Sequence, residues 1–172
     1  MKKIISILGS TGSIGLSTLK IIDRKKNYFK INLLSANKNF RLICKQIKKY
    51  KPNFFIINDP LVYQKVKKEL YKNTKIFNNF DSINLIKKND ITVTAIPGIK
   101  GLLPTLSIIN RSKKILIANK ESIICGWHLI KKESLKCKTK IVPIDSEHFS
   151  IFKLLETHNL SEINKIYITA SG

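Results

Sequence analysis

An α/β fold built on a doubly wound parallel sheet is the architecture this sequence predicts. Three observations carry it. Apolar runs of strand length recur along all 172 residues, and segments with helical apolar spacing separate them. A glycine-rich turn, "GSTGSIG" at 9–15, stands directly after the first run. Continuous apolar strands alternating with helices are the mark of a parallel sheet buried on both faces.

The first strand is "KIISIL" (3–8), and the turn after it leads into a helix from about Ile14 to Arg24. "FKINLLS" (29–35) is the second strand, followed by a helix with Leu42, Ile43, Ile47 and Tyr50 on one face, ended by Pro52. "NFFIIN" (53–58) is the third, and Asp59-Pro60 opens a helix in the usual cap-then-proline order. "TKIF" (74–77), a short helix around Ser82 to Lys87, and "DITVTAI" (90–96) come next. A helix from about Leu102 to Asn110 precedes "KILIA" (114–118), and a helix near Ser122 to Lys132 precedes "KIVPI" (140–144). "KIYITA" (165–170) reads as a last strand, and the Ser-Gly after it as the opening of a further turn, so the chain looks cut at this point.

Lysine and arginine number 32 against 11 acidic residues, a net charge of +21 that would ordinarily suggest nucleic acid. Only Arg24, Arg41 and Arg111 are arginine, the residue suited to bidentate base and phosphate contacts. The excess is lysine, accompanied by Ile and Asn, and its clusters fall at helix ends and in loops. This is read as compositional drift, and nucleic acid is not expected as a partner. No apolar run reaches membrane-spanning length, and no leader segment is read at the N-terminus, so no membrane is expected either. Cys44, Cys125 and Cys137 are odd in number and far apart, which fits free thiols in the cytoplasm.

The turn has the spacing GxxGxxG, a variant of the dinucleotide fingerprint. Gly9 permits a tight turn, Gly12 allows backbone to approach a pyrophosphate, and Gly15 permits close helix packing. The helix N-terminus then offers N–H groups to phosphates, with the Thr11 and Ser13 hydroxyls as further donors. After the second strand an NAD enzyme places a carboxylate on the ribose 2′-hydroxyl, but none occurs from Phe29 to Tyr50. Asn37, Lys38 and Asn39 present amides and a cation there, which suits the 2′-phosphate of NADPH, although a solvated loop would look the same.

Two later strand ends are polar where sites in such sheets lie. "ANKES" sets Asn119, Lys120, Glu121 and Ser122 past a buried strand. Asn119 could reach a nicotinamide and Lys120 a charged substrate, or Ser122 could simply cap a helix. Pro97, Gly98 and Gly101, past the strand before it, fit a turn that lets backbone pass close to a ligand. In "VPIDSEHF", Asp145 and Glu147 are hard oxygen donors suited to Mg²⁺ or Mn²⁺, and His148 is read as structural. The same stretch would serve as a helix start, with Asp145 or Ser146 as N-cap.

Together "LGSTGSIG", "PGIKGLLPTL", "ANKES" and "PIDSEHFSIF" closely resemble the 1-deoxy-D-xylulose 5-phosphate reductoisomerase family, from Met1 to Gly172 in the same order. The resemblance implies a Rossmann-like NADPH domain over residues 1–144 and, over 145–172, the first edge of an incomplete catalytic domain. It implies NADPH- and metal-dependent rearrangement and reduction of a phosphosugar to 2-C-methyl-D-erythritol 4-phosphate, in non-mevalonate isoprenoid biosynthesis. Thr11, Gly12, Ser13 and Ile14 would cradle the NADPH phosphates, Asn37, Lys38 and Asn39 the 2′-phosphate end, and Asn119 and Glu121 would also touch the cofactor. Lys120, Ser146 and Ser171 would hold substrate, and Asp145 and Glu147 the metal. The family often has glycine where Asn37 stands, which raises the question of a positive φ there. Members continue past this length into a lid, a third metal carboxylate and a helical domain, and form homodimers, so this chain alone is expected to be incomplete for turnover. An NADPH-binding module without catalysis is the alternative.

Overall fold

The computed structural model describes residues 1–69 and 71–167. Seven strands form one wholly parallel sheet: β1 (Lys3–Leu8), β2 (Phe29–Ala36), β3 (Phe54–Ile57), β4 (Lys75–Phe77), β5 (Asn89–Thr94), β6 (Ser112–Ile117) and β7 (Lys140–Pro143). Their order is β4-β3-β2-β1-β5-β6-β7. The chain therefore builds outward from β1 in one direction, returns, and builds outward from β5 in the other. The carboxyl ends of β1 and β5 border the switch point, where such sheets hold ligands.

Among the described residues, five α-helices lie between strands, α1 (Ser13–Arg24), α2 (Phe40–Tyr50), α3 (Pro60–Lys67), α4 (Leu102–Ile109) and α5 (Lys120–Cys137), and α6 (Ser146–Glu156) follows β7. Alternate strand residues feed two separate cores. Ile5, Ile7, Ile31 and Leu34 pack with Leu19 and Ile22 of α1 and Ile43 and Ile47 of α2. Leu8, Leu33, Ile115 and Ile117 pack with Ile108 and Ile109 of α4 and Ile130 of α5 on the opposite face. Helices on both faces make the sheet doubly wound, as its apolar strands require.

Several polar residues inside the strands pair with one another at the sheet's amino edge. Asn89 Oδ1 accepts from Ser6 Oγ and Asn32 Nδ2, both at 2.9 Å, and Asn53 Nδ2 donates to Asn32 Oδ1 at 2.8 Å. Asp90 ties three strands there: Oδ2 accepts from the Ile4 N–H and Oδ1 from Lys113 Nζ, each at 2.8 Å. Lys113, and then the Ile4 N–H, hold its carboxyl below the usual carboxylate range. A depressed folded-state pKa contributes stability above the unfolded value, near 4, which is lost as pH falls through the folded one. Urea midpoints measured from pH 6 down to pH 3 are therefore expected to fall less steeply for Asp90→Asn than for the wild type. Parallel slopes would remove Asp90 from the acid sensitivity.

Several expected bounds shift for local reasons. The short helix after β4 is a 3₁₀ turn over Asp81–Leu85, and a second 3₁₀ turn, Ile99–Gly101, leads into α4. Helix α5 starts earlier and runs longer than its pattern suggested, because Asn119 rather than Ser122 is the N-cap and the helix continues through a kink at Gly126 (φ −133°, ψ 17°). A Cβ at Gly126 would overlap the Leu102 methyls, so glycine and its distorted backbone let α4 and α5 approach. The strand expected over 165–170 is not seen as such: Lys165, Ile166 and Tyr167 belong to no regular element, and 168–170 lie outside the described residues. Helices α2 and α5 end on lysines in the left-handed region, Lys51 (φ 45°) and Lys138 (φ 54°). No helix among the described residues is long and apolar enough to cross a membrane.

Candidate functional site

The glycine turn sits at the carboxyl end of β1. Gly9 has φ +86°, and a Cβ there would lie 2.6 Å from the Ala95 carbonyl oxygen, just beyond β5. Glycine is thus required where the two strand ends meet. A Cβ on Gly15 would overlap the Gly9 carbonyl oxygen and lie 2.7 Å from Ser10 Cα, so Gly15 lets α1 begin directly against the turn. Gly12 differs: its nearest neighbour would be the Gly9 carbonyl oxygen at 3.5 Å, leaving open space beside the backbone.

Gly12 is also the N-cap of α1, and no side chain caps that helix end. Thr11 is half-buried, while Ser13 and Ile14 are exposed on the first turn. Neither α1 nor α2 has an acidic residue in its first turn, so both positive dipole ends are free to face an anion. Asn37 and Lys38 are exposed beyond β2. Asn39 is the N-cap of α2, its Oδ1 accepting from the Leu42 N–H at 3.1 Å. Lys51 and Lys138 are the described non-glycine residues with positive φ, so Asn37 sits in ordinary backbone space and its departure from glycine carries no strain.

Asn119 is placed differently from the sequence expectation. Its Nδ2 donates to the Ile96 carbonyl and, at 2.7 Å, to the Gly98 carbonyl, while Oδ1 accepts from the Ser122 N–H at 2.9 Å. Both amide hydrogens and one Oδ1 lone pair hold the loop after β5 to the start of α5. Gly101 serves the same junction, since a Cβ there would lie 2.5 Å from Asn119 Nδ2. It was expected to give a ligand room; it gives room to Asn119. Gly98, at φ +68° with nothing near its would-be Cβ, is the open position of that loop.

Helices α5 and α6 bring their first turns together. Lys120 Nζ stands 3.4 Å from Glu147 Oε1, an exposed pair, while Glu121 and Ser146 are exposed beside it. Glu147's own backbone N–H and then Lys120 hold its carboxyl below the usual range. Asp145 is the N-cap of α6: its Oδ1 accepts from the His148 N–H at 3.1 Å and meets His148 Nδ1 at 2.7 Å. Its other oxygen, Oδ2, is buried and has no hydrogen-bond partner among the described residues. A side chain only 10% exposed with one bare carboxylate oxygen is costly to keep unless a cation completes it. The helix start uses Oδ1 and leaves Oδ2 without a partner among the described residues. No group of three or more His, Cys, Asp or Glu placed to hold a metal occurs among the described residues. Asp145 and Glu147 fit a hard divalent cation as two of its donors, with the rest of the cage to come from elsewhere. A cleft of about 760 Å³ opens next to them, lined in part by Ser146, Glu147, Ser150, His158 and Lys165. Ser171 lies outside the described residues.

The family model described as 1-deoxy-D-xylulose 5-phosphate reductoisomerase matches residues 5–126, and that of the reductoisomerase C-terminal domain matches residues 141–172. This chain belongs to the 1-deoxy-D-xylulose 5-phosphate reductoisomerase family. It is 52% identical to the reductoisomerase of Pelagibacter ubique, covering 100% of this chain and 45% of that protein. The reductoisomerase of Clostridium acetobutylicum is 40% identical, with 99% and 46% covered. Among solved structures, the Zymomonas mobilis reductoisomerase in complex with NADPH superposes with a TM-score of 0.81 at 31% identity, over 89% of this chain and 41% of that one. A reductoisomerase in complex with NADPH, fosmidomycin and magnesium gives 0.81 at 32% identity, over 88% and 38%. The chain therefore spans a little under half the length of the reductoisomerases it matches.

Sequence reasoning missed the residues that support the turn. Ser10 and Ser35 are buried beneath it, and Gln46 of α2 reaches it from the side. The signal was present: Gln46 occupies a position in the apolar stripe Ile43–Ile47–Tyr50, where an unpaired amide would be costly.

Proposed function

We propose that the protein carrying this chain converts 1-deoxy-D-xylulose 5-phosphate to 2-C-methyl-D-erythritol 4-phosphate with NADPH and Mg²⁺ or Mn²⁺. Residues 1–144 serve as the NADPH domain, and 145–172 begin the catalytic domain. The observation that carries this reading is the order of polar strand ends along one sheet edge. Asn37, Lys38 and Asn39 lie beyond β2, Thr11 to Ile14 beyond β1, Asn119 to Glu121 beyond β6, and Asp145 to Glu147 beyond β7. That is the order 2′-phosphate, pyrophosphate, nicotinamide side, metal and substrate. From β1 to β7 there are three strand spacings, roughly 14 Å, a span an extended dinucleotide crosses.

Each group has a role in this arrangement. The N–H groups of Thr11, Ser13 and Ile14 and the Thr11 and Ser13 hydroxyls bind the pyrophosphate at the α1 dipole, with the bare Gly12 backbone giving it room. Lys38 and the neighbouring amides take the 2′-phosphate, in the absence of a carboxylate that would repel it. Asn119 acts on the cofactor through the loop it fixes, with Glu121 beside it. Lys120, Ser146 and Ser171 orient the phosphosugar. When bound at Asp145 and Glu147, a divalent cation supplies polarisation of the substrate's carbonyl and hydroxyl oxygens. Lys120, paired with Glu147 in this structure, would be free to turn toward substrate were that carboxylate to hold a divalent cation. The complete protein is read as a cytoplasmic homodimer, with neither nucleic acid nor membrane as a partner. Solved reductoisomerases bound to NADPH and magnesium support the choice of cofactors.

Fluorescence titration of the chain with NADPH and with NADH tests the nucleotide half of this reading. NADPH is expected to bind at least about tenfold more tightly, the worth of one charge-assisted contact to the 2′-phosphate. Equal affinities would overturn the assignment of Asn37 to Asn39.

A further inference from the structure

We propose that Gln46 is a positioning residue for the phosphate-binding turn, fixing from α2 the peptide that aims the Thr11 N–H. The inference rests on the NADPH reading above and assigns a role to a residue that touches neither cofactor nor substrate.

Gln46 is 3% exposed and Ser10 is fully buried, and the two make a two-point grip. Gln46 Oε1 accepts from Ser10 Oγ at 2.6 Å, and Gln46 Nε2 donates to the Ser10 carbonyl at 2.9 Å. Strand β2 holds the same residues from beneath. The Ser35 carbonyl accepts from the Ser10 N–H at 2.7 Å and from the Gly9 N–H at 3.1 Å, and Ser35 Oγ also faces the Gly9 N–H at 3.1 Å. The Ser10 carbonyl and the Thr11 N–H are the two ends of one planar trans peptide, so they point in opposite directions. Holding the carbonyl toward Gln46 therefore turns the Thr11 N–H away from α2.

The same edge of α2 also fixes the far end of α1. Lys49 Nζ and Tyr50 Oη both reach Asp23 Oδ2, at 2.6 and 3.0 Å, in the last turn of α1. Gln46, Lys49 and Tyr50 are spaced i, i+3 and i+4, so they form one stripe. Through that stripe α2 sets both the start of α1 and its tilt, and with them the direction of the dipole at the phosphate turn. Since Asn39 caps the same helix, the supports of the pyrophosphate and 2′-phosphate ends share one rigid element. Packing alone would be served as well by a leucine or methionine between Ile43 and Ile47. A buried amide with both of its groups spent on one turn residue is what aiming requires.

The test compares wild type, Gln46→Met and Gln46→Glu by three measurements. These are thermal midpoint, NADPH affinity well below that midpoint, and amide hydrogen exchange at Ser10 and Gly12. Gln46→Met is expected to leave the midpoint within a few degrees, weaken NADPH about five- to tenfold, and speed exchange at both amides. Gln46→Glu sets a carboxylate oxygen against the Ser10 carbonyl and is expected to weaken NADPH further. A lowered midpoint with unchanged NADPH affinity would reduce Gln46 to a packing residue and overturn the proposal. Failure of the wild-type chain itself to bind NADPH would instead sink the cofactor reading. The exchange rates then decide alone: unchanged protection at Ser10 and Gly12 would overturn the aiming role, and lost protection would sustain it.

Discussion

Asp145→Asn is expected to lower metal-dependent NADPH oxidation by roughly 10²- to 10³-fold. The measurement uses a chimaera in which this chain replaces the matching part of the Pelagibacter ubique reductoisomerase, to which it is 52% identical. The substitution is chosen for what it keeps. Asparagine is as good an N-cap as aspartate, so Oδ1 can still accept from the His148 N–H and the start of α6 survives. What it removes is the negative charge and the buried, unpartnered Oδ2. An amide nitrogen in that position cannot ligate a hard cation. The thermal midpoint should therefore stay near that of the unmodified chimaera while turnover collapses, with partial recovery at high Mg²⁺. Full activity in Asp145→Asn would remove Asp145 from the metal site. An unmodified chimaera that does not turn over would count against the reductoisomerase reading itself.

The glycines of the turn give the second large effect, and a contrast. Gly15→Ala puts a methyl into the Gly9 carbonyl and the Ser10 backbone, neither of which can yield as a flexible side chain would. Such overpacking costs about 1–3 kcal/mol, or about 2–12 °C in a domain of this size. NADPH binding should fall with it, because α1 must back away from the turn. Gly12→Ala meets nothing closer than 3.5 Å and needs no unusual φ, so the midpoint should move little. Yet its methyl fills the open space where a pyrophosphate would lie, and NADPH should bind at least tenfold more weakly, on the scale of one lost phosphate hydrogen bond. Calorimetry and NADPH titration of both variants separate the two roles. A Gly12→Ala protein with wild-type affinity would mean that the cofactor does not approach this backbone.

Much of this was legible in the residues, and the exceptions have physical causes. Continuous apolar strands declared themselves because both faces of a parallel sheet are buried, so each of the seven observed strands overlaps an expected one. Boundaries slipped where capping competes: Asn119 and Ser122 are both good N-caps, and only the fold shows that Asn119 reaches the Ser122 N–H. The extent of α5 was hidden by Gly126, which looks like a breaker until Leu102 is seen packed against it. The polar residues at the strand ends were visible from type and position, and the fold places those of β1, β2, β6 and β7 along one sheet edge. The stripe position of Gln46 marks a buried amide in need of a partner, but not that the partner is Ser10, 36 residues away in sequence. Likewise "DSEH" shows two carboxylates but not which oxygen of Asp145 is spent on His148.

The two helix ends at Lys51 and Lys138 mark where the backbone holds unrealised stability. Glycine is the usual occupant of a left-handed helix terminus, and a side chain there costs about 1 kcal/mol. Lysine at both positions gains no ion pair among the described residues in return. Glycine at these two sites, which lie in segments other than the glycine turn and Asp145, would remove that cost. Lys51→Gly and Lys138→Gly are thus two simple exchanges expected to make the protein hardier.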